Sequence, residues 1–344
     1  MDMGLQIGDI VPRKSIEFSQ MKGKILAVDA SNIIYQFLST IRQPDGTPLK
    51  DKEGNITSHL SGLFYRNIAL LQEGLKLIYV FDGEMPSLKR KTIEKRLEAK
   101  AEARAKYEEA SSEEDIEKMK RYSQQLARLT PEIKKESMEL LEALGIQCVQ
   151  APGEAEAQAA YMARKGVAWA SASQDYDSLA FGTPKLIQNL TLARKRKTVS
   201  GFVYISPELI ELEHVLNSLQ INLEQLICLG ILCGTDYNPG GVRGIGPKKA
   251  LDIIRKYKEP VLIFKSVEEK IRAQEKEGKA FDWQEIFPLF KKPDVKDVKV
   301  DFPKLDEKKV RKILLSHDFS AERIDSGLAK LKESKEKLKQ KTLF

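Results

Sequence analysis

Six acids fall where a parallel sheet would gather them. Asp29 closes the apolar run 24–29, and Asp82 closes the run 76–82. Glu154 and Glu156 follow the run 145–150, and Asp175 and Asp177 follow the run 167–171. Asp236, in the segment GTDY, is a seventh candidate whose place no periodicity fixes. In open parallel sheets, ligands sit beyond the carboxyl ends of the strands, where helices begin. One such acid alone is commonly an N-cap or turn residue. Six at four successive strand ends repel and raise each other's pKa unless a bound cation relieves them. Hard oxygen donors select Mg²⁺ or Mn²⁺, and two ions about 4 Å apart are a device for phosphate-ester displacement. His59, His214 and His317 are scattered along the chain, so no zinc site is expected.

Spacing refines this. Glu154/Glu156 and Asp175/Asp177 are i,i+2 pairs, which share a face in extended chain and diverge on a regular helix. Residues 175 and 177 are therefore expected in extended or turn backbone, both pointing inward. Pro152 and Gly153 place Glu154 in the first turn of a helix. One acid of each pair can act through water, as Mg²⁺ often prefers.

The apolar runs that carry these acids are short and rich in β-branched or aromatic residues. Between them, 33–41, 60–72, 133–144 and 155–165 have helical spacing. Near-continuously apolar strands alternating with helices indicate a parallel sheet covered on both faces. The expected fold class is α/β, a central mostly parallel sheet with helices on both faces. The stretch 87–135 departs from that rhythm, being dense in Lys, Arg and Glu with few large apolar residues. Two readings stand: a solvated helix laced with i,i+4 pairs, or a projecting helical insertion whose basic side chains touch a polyanion.

A chain of 344 residues is long enough for one large or two modest domains, and needs no disulfide or metal staple to fold. Lys plus Arg exceeds Asp plus Glu by 57 to 50, a net +7 that permits a nucleic-acid partner without requiring one. The apolar runs fall far short of a membrane span, and no basic-then-apolar leader opens the chain, so a cytoplasmic protein is expected. Three cysteines without C-x-x-C spacing read as small buried hydrophobes.

A second motif lies at 240–250, GGVRGIGPKKA, leading into a helical pattern. Gly244 and Gly246 let backbone amides approach a ligand closely, and the helix start adds a positive dipole beside Lys248 and Lys249. This is the G-x-G turn of a helix-hairpin-helix clamp, which grips DNA phosphates without reading bases. The bland alternative is a Gly-Pro turn with Pro at the first helical position.

Together these segments resemble the flap endonucleases of the structure-specific 5′-nuclease superfamily, most like its archaeal branch. The matching stretches are VDASNIIYQFL (28–38), FDGEMPSLKRK (81–91), APGEAEAQAA (151–160), SQDYDSLAFG (173–182) and GTDYNPGGVRGIGPKKAL (234–251). The resemblance implies a divalent-metal-dependent enzyme that cuts branched DNA beside a 5′ flap in replication and repair, with companion 5′–3′ exonuclease action. It assigns Asp29, Asp82, Glu154, Glu156, Asp175, Asp177 and Asp236 to a site for two Mg²⁺ ions, with Mn²⁺ as a substitute. Lys89 and Arg96 match the basic pair at the base of a helical arch; seven positions apart, they share a face of one helix and can offset charge on the scissile phosphate. Tyr35 matches an aromatic on which a base stacks. The glycine turn matches the helix–two-turn–helix element (222–262) that binds duplex DNA and a K⁺ ion.

On this resemblance the chain reads as a single nuclease domain over 1–326, with an arch insertion at 83–135 and a loosely ordered tail from 327 to 344. It implies a monomer whose partners are flap DNA and a sliding clamp. The tail carries Gln340, Leu343 and Phe344 of a clamp-binding box but lacks the box's aromatic pair, and the chain opens Met1-Asp2-Met3-Gly4 where the family opens Met-Gly. Three rivals stand beside this reading: a related 5′ exonuclease or junction resolvase, a non-enzymatic DNA-binding scaffold, and a small-molecule phosphatase. Seven intact acids speak against the scaffold, and the basic insertion and glycine turn have no use in the phosphatase.

Overall fold

Each of the four apolar runs forms a strand. They are Ile25–Asp29, Lys76–Phe81, Gln147–Gln150 and Ala170–Ala172. The structure is a computed structural model that describes residues 5–341 except 85, 114, 191–194, 199–200 and 276–280. The side chains of Arg96 and Gln340 also lie outside the described set, as do Leu343 and Phe344. The fold is α/β, with seven strands in the main sheet, parallel and antiparallel pairs both present. Where one domain over 1–326 was expected, the chain divides into two compact units, one of residues 1–17, 82–93 and 150–298, the other of 18–81, 94–149 and 299–344.

In the second of these units, Ile25–Asp29 pairs in parallel with Lys76–Phe81, Asp29 opposite Val80. Asp29 ends the strand and caps the helix Ala30–Thr40, its Oδ1 accepting from the Asn32 amide at 3.1 Å. Ile33, Ile34, Phe37 and Leu38 form the buried stripe of that helix, against which Ser58–Gln72 packs. The helix Pro131–Ala143, capped by Thr130 with Pro131 at its first position, packs on Ser58–Gln72 in turn.

The charged stretch forms two helices, Arg90–Ser112 and Ile116–Gln125, the second capped by Asp115. Arg42 joins this region to the loop after the first helix. It donates to the Gly46 carbonyl at 3.0 Å and to the Ser123 hydroxyl.

Two histidines that look scattered in sequence meet across one acid. His59, fully buried, places Nε2 3.0 Å from Glu136 Oε2. His317 places Nδ1 2.9 Å from Asp51 Oδ2 and Nε2 3.6 Å from Glu136 Oε1. Ala321–Lys341 is one helix running across the expected boundary at 326, because Ile324, Leu328 and Leu331 recur at helical spacing and are buried.

In the first unit, Lys14–Ser15, Glu208–Glu211, Lys185–Gln188 and Ala170–Ala172 lie in that order. Only the last pair is parallel. The helix Ala155–Arg164 packs on Ala170–Ala172, its buried face made of Ala155, Ala157, Ala159, Ala160 and Ala163, small enough for close approach. A separate hairpin joins Lys195–Thr198 to Gly201–Tyr204. The core continues into Leu223–Cys233 and Pro247–Tyr257, with Phe290 packed on Phe181 and Tyr237. No single described helix is long and apolar enough to cross a membrane.

Candidate active site

Six of the expected acids and Lys89 belong to the first unit and are assembled by short-range backbone contacts. The Gly83 amide donates to the Gly153 carbonyl at 2.8 Å and the Glu84 amide to Pro152 at 2.9 Å. The approach is so close that a Cβ at Gly83 would sit 2.1 Å from the Ala151 carbonyl oxygen, which excludes any other residue. Asp82 is thereby laid against the start of the helix Ala155–Arg164, where its Oδ1 accepts from the Ala155 amide at 2.9 Å. Glu154 is the N-cap of that helix, just ahead of its expected first turn, and Glu156 lies in the first turn. Acids at a helix N-terminus are favoured by the dipole.

Glu156 reaches toward the next strand end. Its Oε1 accepts from Ser173 Oγ at 2.8 Å and Ser178 Oγ at 3.4 Å. Ser173 Oγ also accepts from the Asp175 amide at 3.1 Å, which turns the chain there. Asp175 lies in a bend, as expected for a turn, but Asp177 opens a short helix, Asp177–Ala180. The i,i+2 argument fails at Asp177 because the apolar Leu179-Ala180-Phe181 that follow bury a helical turn in the core. Its Oδ1 accepts from the Leu5 amide at 2.9 Å.

Lys89 stands among these acids. It ends the 3₁₀ turn Ser87–Lys89, ahead of the helix beginning at Arg90, so it does not share one regular helix with Arg96 as expected. Its Nζ lies 2.9 Å from Glu154 Oε1, 3.3 Å from Asp236 Oδ2 and 5.3 Å from the centre of the Tyr237 ring. The Tyr237 hydroxyl donates to the same Glu154 oxygen, and Thr92 Oγ1 donates to the Asp236 carbonyl at 2.6 Å. Tyr237 and Thr92 escape sequence reasoning; the one signal was Tyr237's place beside Asp236.

The electrostatics follow. Burial, then Asp236 and Asp175, push the Asp177 carboxyl well above the ordinary carboxylate range, against the pull of Lys89. Burial alone would lower the Lys89 pKa, but Glu154 and Asp236 outweigh it and hold the ammonium above its usual value. Burial and Glu154 raise the Tyr237 phenol well above its own.

The donor set fits a hard divalent cation in its chemistry. Every donor is a carboxylate oxygen, and the repulsion that raises Asp177 is what a cation relieves. The Lys89 ammonium already stands in for such a charge between Glu154 and Asp236. The arrangement is not a ready-made cage: among the described residues, no three His, Cys, Asp or Glu side chains are placed to hold one ion. Lys89 meets one oxygen of Glu154 and one of Asp236, so a cation reaching those same oxygens competes with the ammonium.

Asp29 and Tyr35 belong to the second unit, where Lys100 Nζ sits 5.5 Å over the half-buried Tyr35 ring. The glycine turn is in the first unit. Gly244 has φ 74°, Gly246 caps the helix Pro247–Tyr257, and Lys249 donates to the Gly244 carbonyl at 3.3 Å. Exposed Lys248 and Lys249 line a shallow hollow with Gly244, Gly246, Pro247, Asp9 and Ile10. Gly241, at φ 54°, would place a Cβ 2.3 Å from the Leu232 carbonyl oxygen, so the turn folds back tightly on the preceding helix. The basic segment 195–197 is part of the hairpin strand Lys195–Thr198.

Known proteins share these features. The XPG N-terminal domain family matches residues 6–103, and the XPG I-region family matches residues 145–236. The Flap endonuclease 1 of Pyrococcus furiosus is 50% identical over 345 residues, covering 99% of this chain and 98% of its own. The solved flap endonuclease-1 of Methanococcus jannaschii is 40% identical, with TM-score 0.75, covering 96% of this chain and 98% of its own. The catalytic core of Rad2 in complex with DNA substrate, 24% identical with TM-score 0.69, shares the fold.

Proposed function

The chain belongs to the flap endonuclease family of structure-specific nucleases, and we propose that it hydrolyses one phosphodiester where duplex DNA meets a 5′ single-stranded flap, using two Mg²⁺ ions. The observation that supports the metal reading is the gathering of Asp175, Asp177 and Asp236 around Lys89, with the Asp177 carboxyl raised by burial first and then by Asp236 and Asp175. Asp82, Glu154, Glu156, Asp175, Asp177 and Asp236, with Asp29, would hold the ions, and Mn²⁺ would substitute. Bound there, the ions supply a more acidic water and offset charge on the phosphate.

The chain's own groups do the rest. Lys89, freed from Glu154 and Asp236, is the cation positioned to meet a phosphate oxygen, and Arg96 is assigned the same task. The Ser173 and Ser178 hydroxyls hold Glu156 in place. Gly244, Gly246, Lys248 and Lys249 grip the uncut duplex through phosphates, with a K⁺ ion at the turn, and Tyr35 stacks on a base near the cut. Gln340, Leu343 and Phe344 would engage a sliding clamp. The protein would act as a monomer on DNA in the cytoplasm.

The test is incubation of Asp82→Asn and Asp177→Asn proteins with a labelled 5′-flap duplex and Mg²⁺. Each should lose cleavage by at least about 10²-fold, the scale of removing one main electrostatic contributor. Near wild-type cutting by either would refute the assignment.

A further inference from the structure

The turn 174–177, which presents Asp175 and Asp177, is held by groups that are not acids of the cluster. Gln188, buried at the end of the strand Lys185–Gln188, donates from Nε2 to the Gln174 carbonyl at 2.7 Å. Tyr176 is the residue between the two aspartates. From the other side Arg13 Nη1 donates to the Tyr176 hydroxyl at 3.1 Å. Arg13 is itself oriented, by Nη2 on the Gly8 carbonyl at 3.2 Å and by Glu208 Oε2 at 3.7 Å. Gly8 lies flat on the Tyr176 ring, where an added Cβ would come 3.0 Å from the hydroxyl oxygen. Three residues before Gly8, the Leu5 amide holds Asp177 Oδ1. Residues 5–13 thus run as a strap along the aspartate turn, fixing Tyr176 and Asp177 at two points.

We propose that Arg13, Tyr176 and Gln188 are positioning residues for divalent-ion binding, holding the turn so that Asp175 and Asp177 are presented together to a hard cation such as Mg²⁺. The proposal rests on the metal reading above. Its physical ground is that ligating carboxylates repel and would swing apart unless the backbone carrying them is tied down from outside. Tyr176 suits this task because its hydroxyl accepts from Arg13 while its ring packs against the core.

Binding of Mn²⁺ to the DNA-free protein, followed by water-proton relaxation, tests this without turnover. Tyr176→Phe, which keeps the ring, should raise the Mn²⁺ dissociation constant about 10-fold, the low end for groups that orient metal ligands. The Mg²⁺ midpoint for flap cleavage should rise by the same factor, with the rate at saturating Mg²⁺, the thermal midpoint in EDTA and the flap affinity in EDTA held. Arg13→Ala should behave alike, and the double variant should be no worse than Tyr176→Phe, because both act through one hydroxyl. Asp175→Asn is the control. If it weakens Mn²⁺ binding and Tyr176→Phe does not, the positioning role is overturned and the metal reading stands. A lower thermal midpoint with unchanged Mn²⁺ affinity overturns it equally. If Asp175→Asn leaves Mn²⁺ binding unchanged, the ligand assignment fails and the positioning role with it.

Discussion

Lys89 Nζ bridges Glu154 Oε1 at 2.9 Å and Asp236 Oδ2 at 3.3 Å, so an ammonium and not a ligand cage is what neutralises this part of the acid cluster. The pair is largely screened from solvent, with 15% and 10% of the Lys89 and Glu154 side chains exposed. Removing the cation should leave two carboxylates uncompensated. Lys89→Met is expected to destabilise the protein in EDTA by roughly 3 kcal/mol, the low end for breaking a buried pair. Saturating Mg²⁺ should restore more stability to the variant than it adds to the wild type. Cleavage should still fall by about 10²-fold. Denaturant titrations with and without Mg²⁺ read the first effect; equal Mg²⁺ stabilisation of both proteins would show that ammonium and metal do not share the site.

Asp177 predicts the opposite trade. Its folded pKa is raised, so above the unfolded value of about 3.9 the ionised form is carried at a cost to the native state. Asn keeps an oxygen for the Leu5 amide and removes the charge. Asp177→Asn should therefore be more stable than wild type in EDTA at pH 7 while losing cleavage. A variant that is both inactive and less stable in EDTA would mean that Asp177 is not strained by its neighbours.

The glycine turn predicts a separable loss. Lys248→Ala with Lys249→Ala should weaken flap-duplex binding, and the slope of log affinity against log salt should shrink by about 1 for each phosphate contact removed. The single-turnover rate on saturating DNA should stay near wild type, since neither lysine meets the acid cluster. A reduced rate with unchanged affinity would move these residues out of the clamp.

The strand-end acids were legible because β-branched runs closed by an acid mark the carboxyl edge of a sheet, and Asp29 and Asp82 lie where that rule puts them. Asp177 was half legible. Spacing put it beside Asp175, but a helical turn driven by burial of Leu179 and Phe181 overrode the extended backbone. The Lys89 bridge was not legible, since nothing local in the chain ties residue 89 to 154 and 236. The helix Ala321–Lys341 was hard to read from composition, because its lysines mask the buried stripe of Ile324, Leu328 and Leu331. His59 and His317 looked unrelated because only the folded chain brings them to Glu136.

That histidine cluster gives the pH prediction. Burial would raise Asp51, but hydrogen bonds from His317 and Asn55 outweigh it and lower its pKa to about 2. A carboxylate whose folded pKa lies below its unfolded value of about 3.9 contributes stability that is complete above pH 4 and lost as pH falls through about 2. The contact joins the loop at 51–55 to the end of the helix Glu307–Ser316, with the Lys52–Asp318 pair at 3.1 Å beside it and Glu136 on the far side of His317. Asp51→Asn should be less stable than wild type at pH 6. The gap should narrow from pH 4 downward and close near pH 2, where wild-type Asp51 is itself protonating. Urea midpoints of both proteins at pH 6, 4, 3 and 2 measure it, and a gap that persists unchanged to pH 2 would show that the charge on Asp51 contributes nothing to joining these segments.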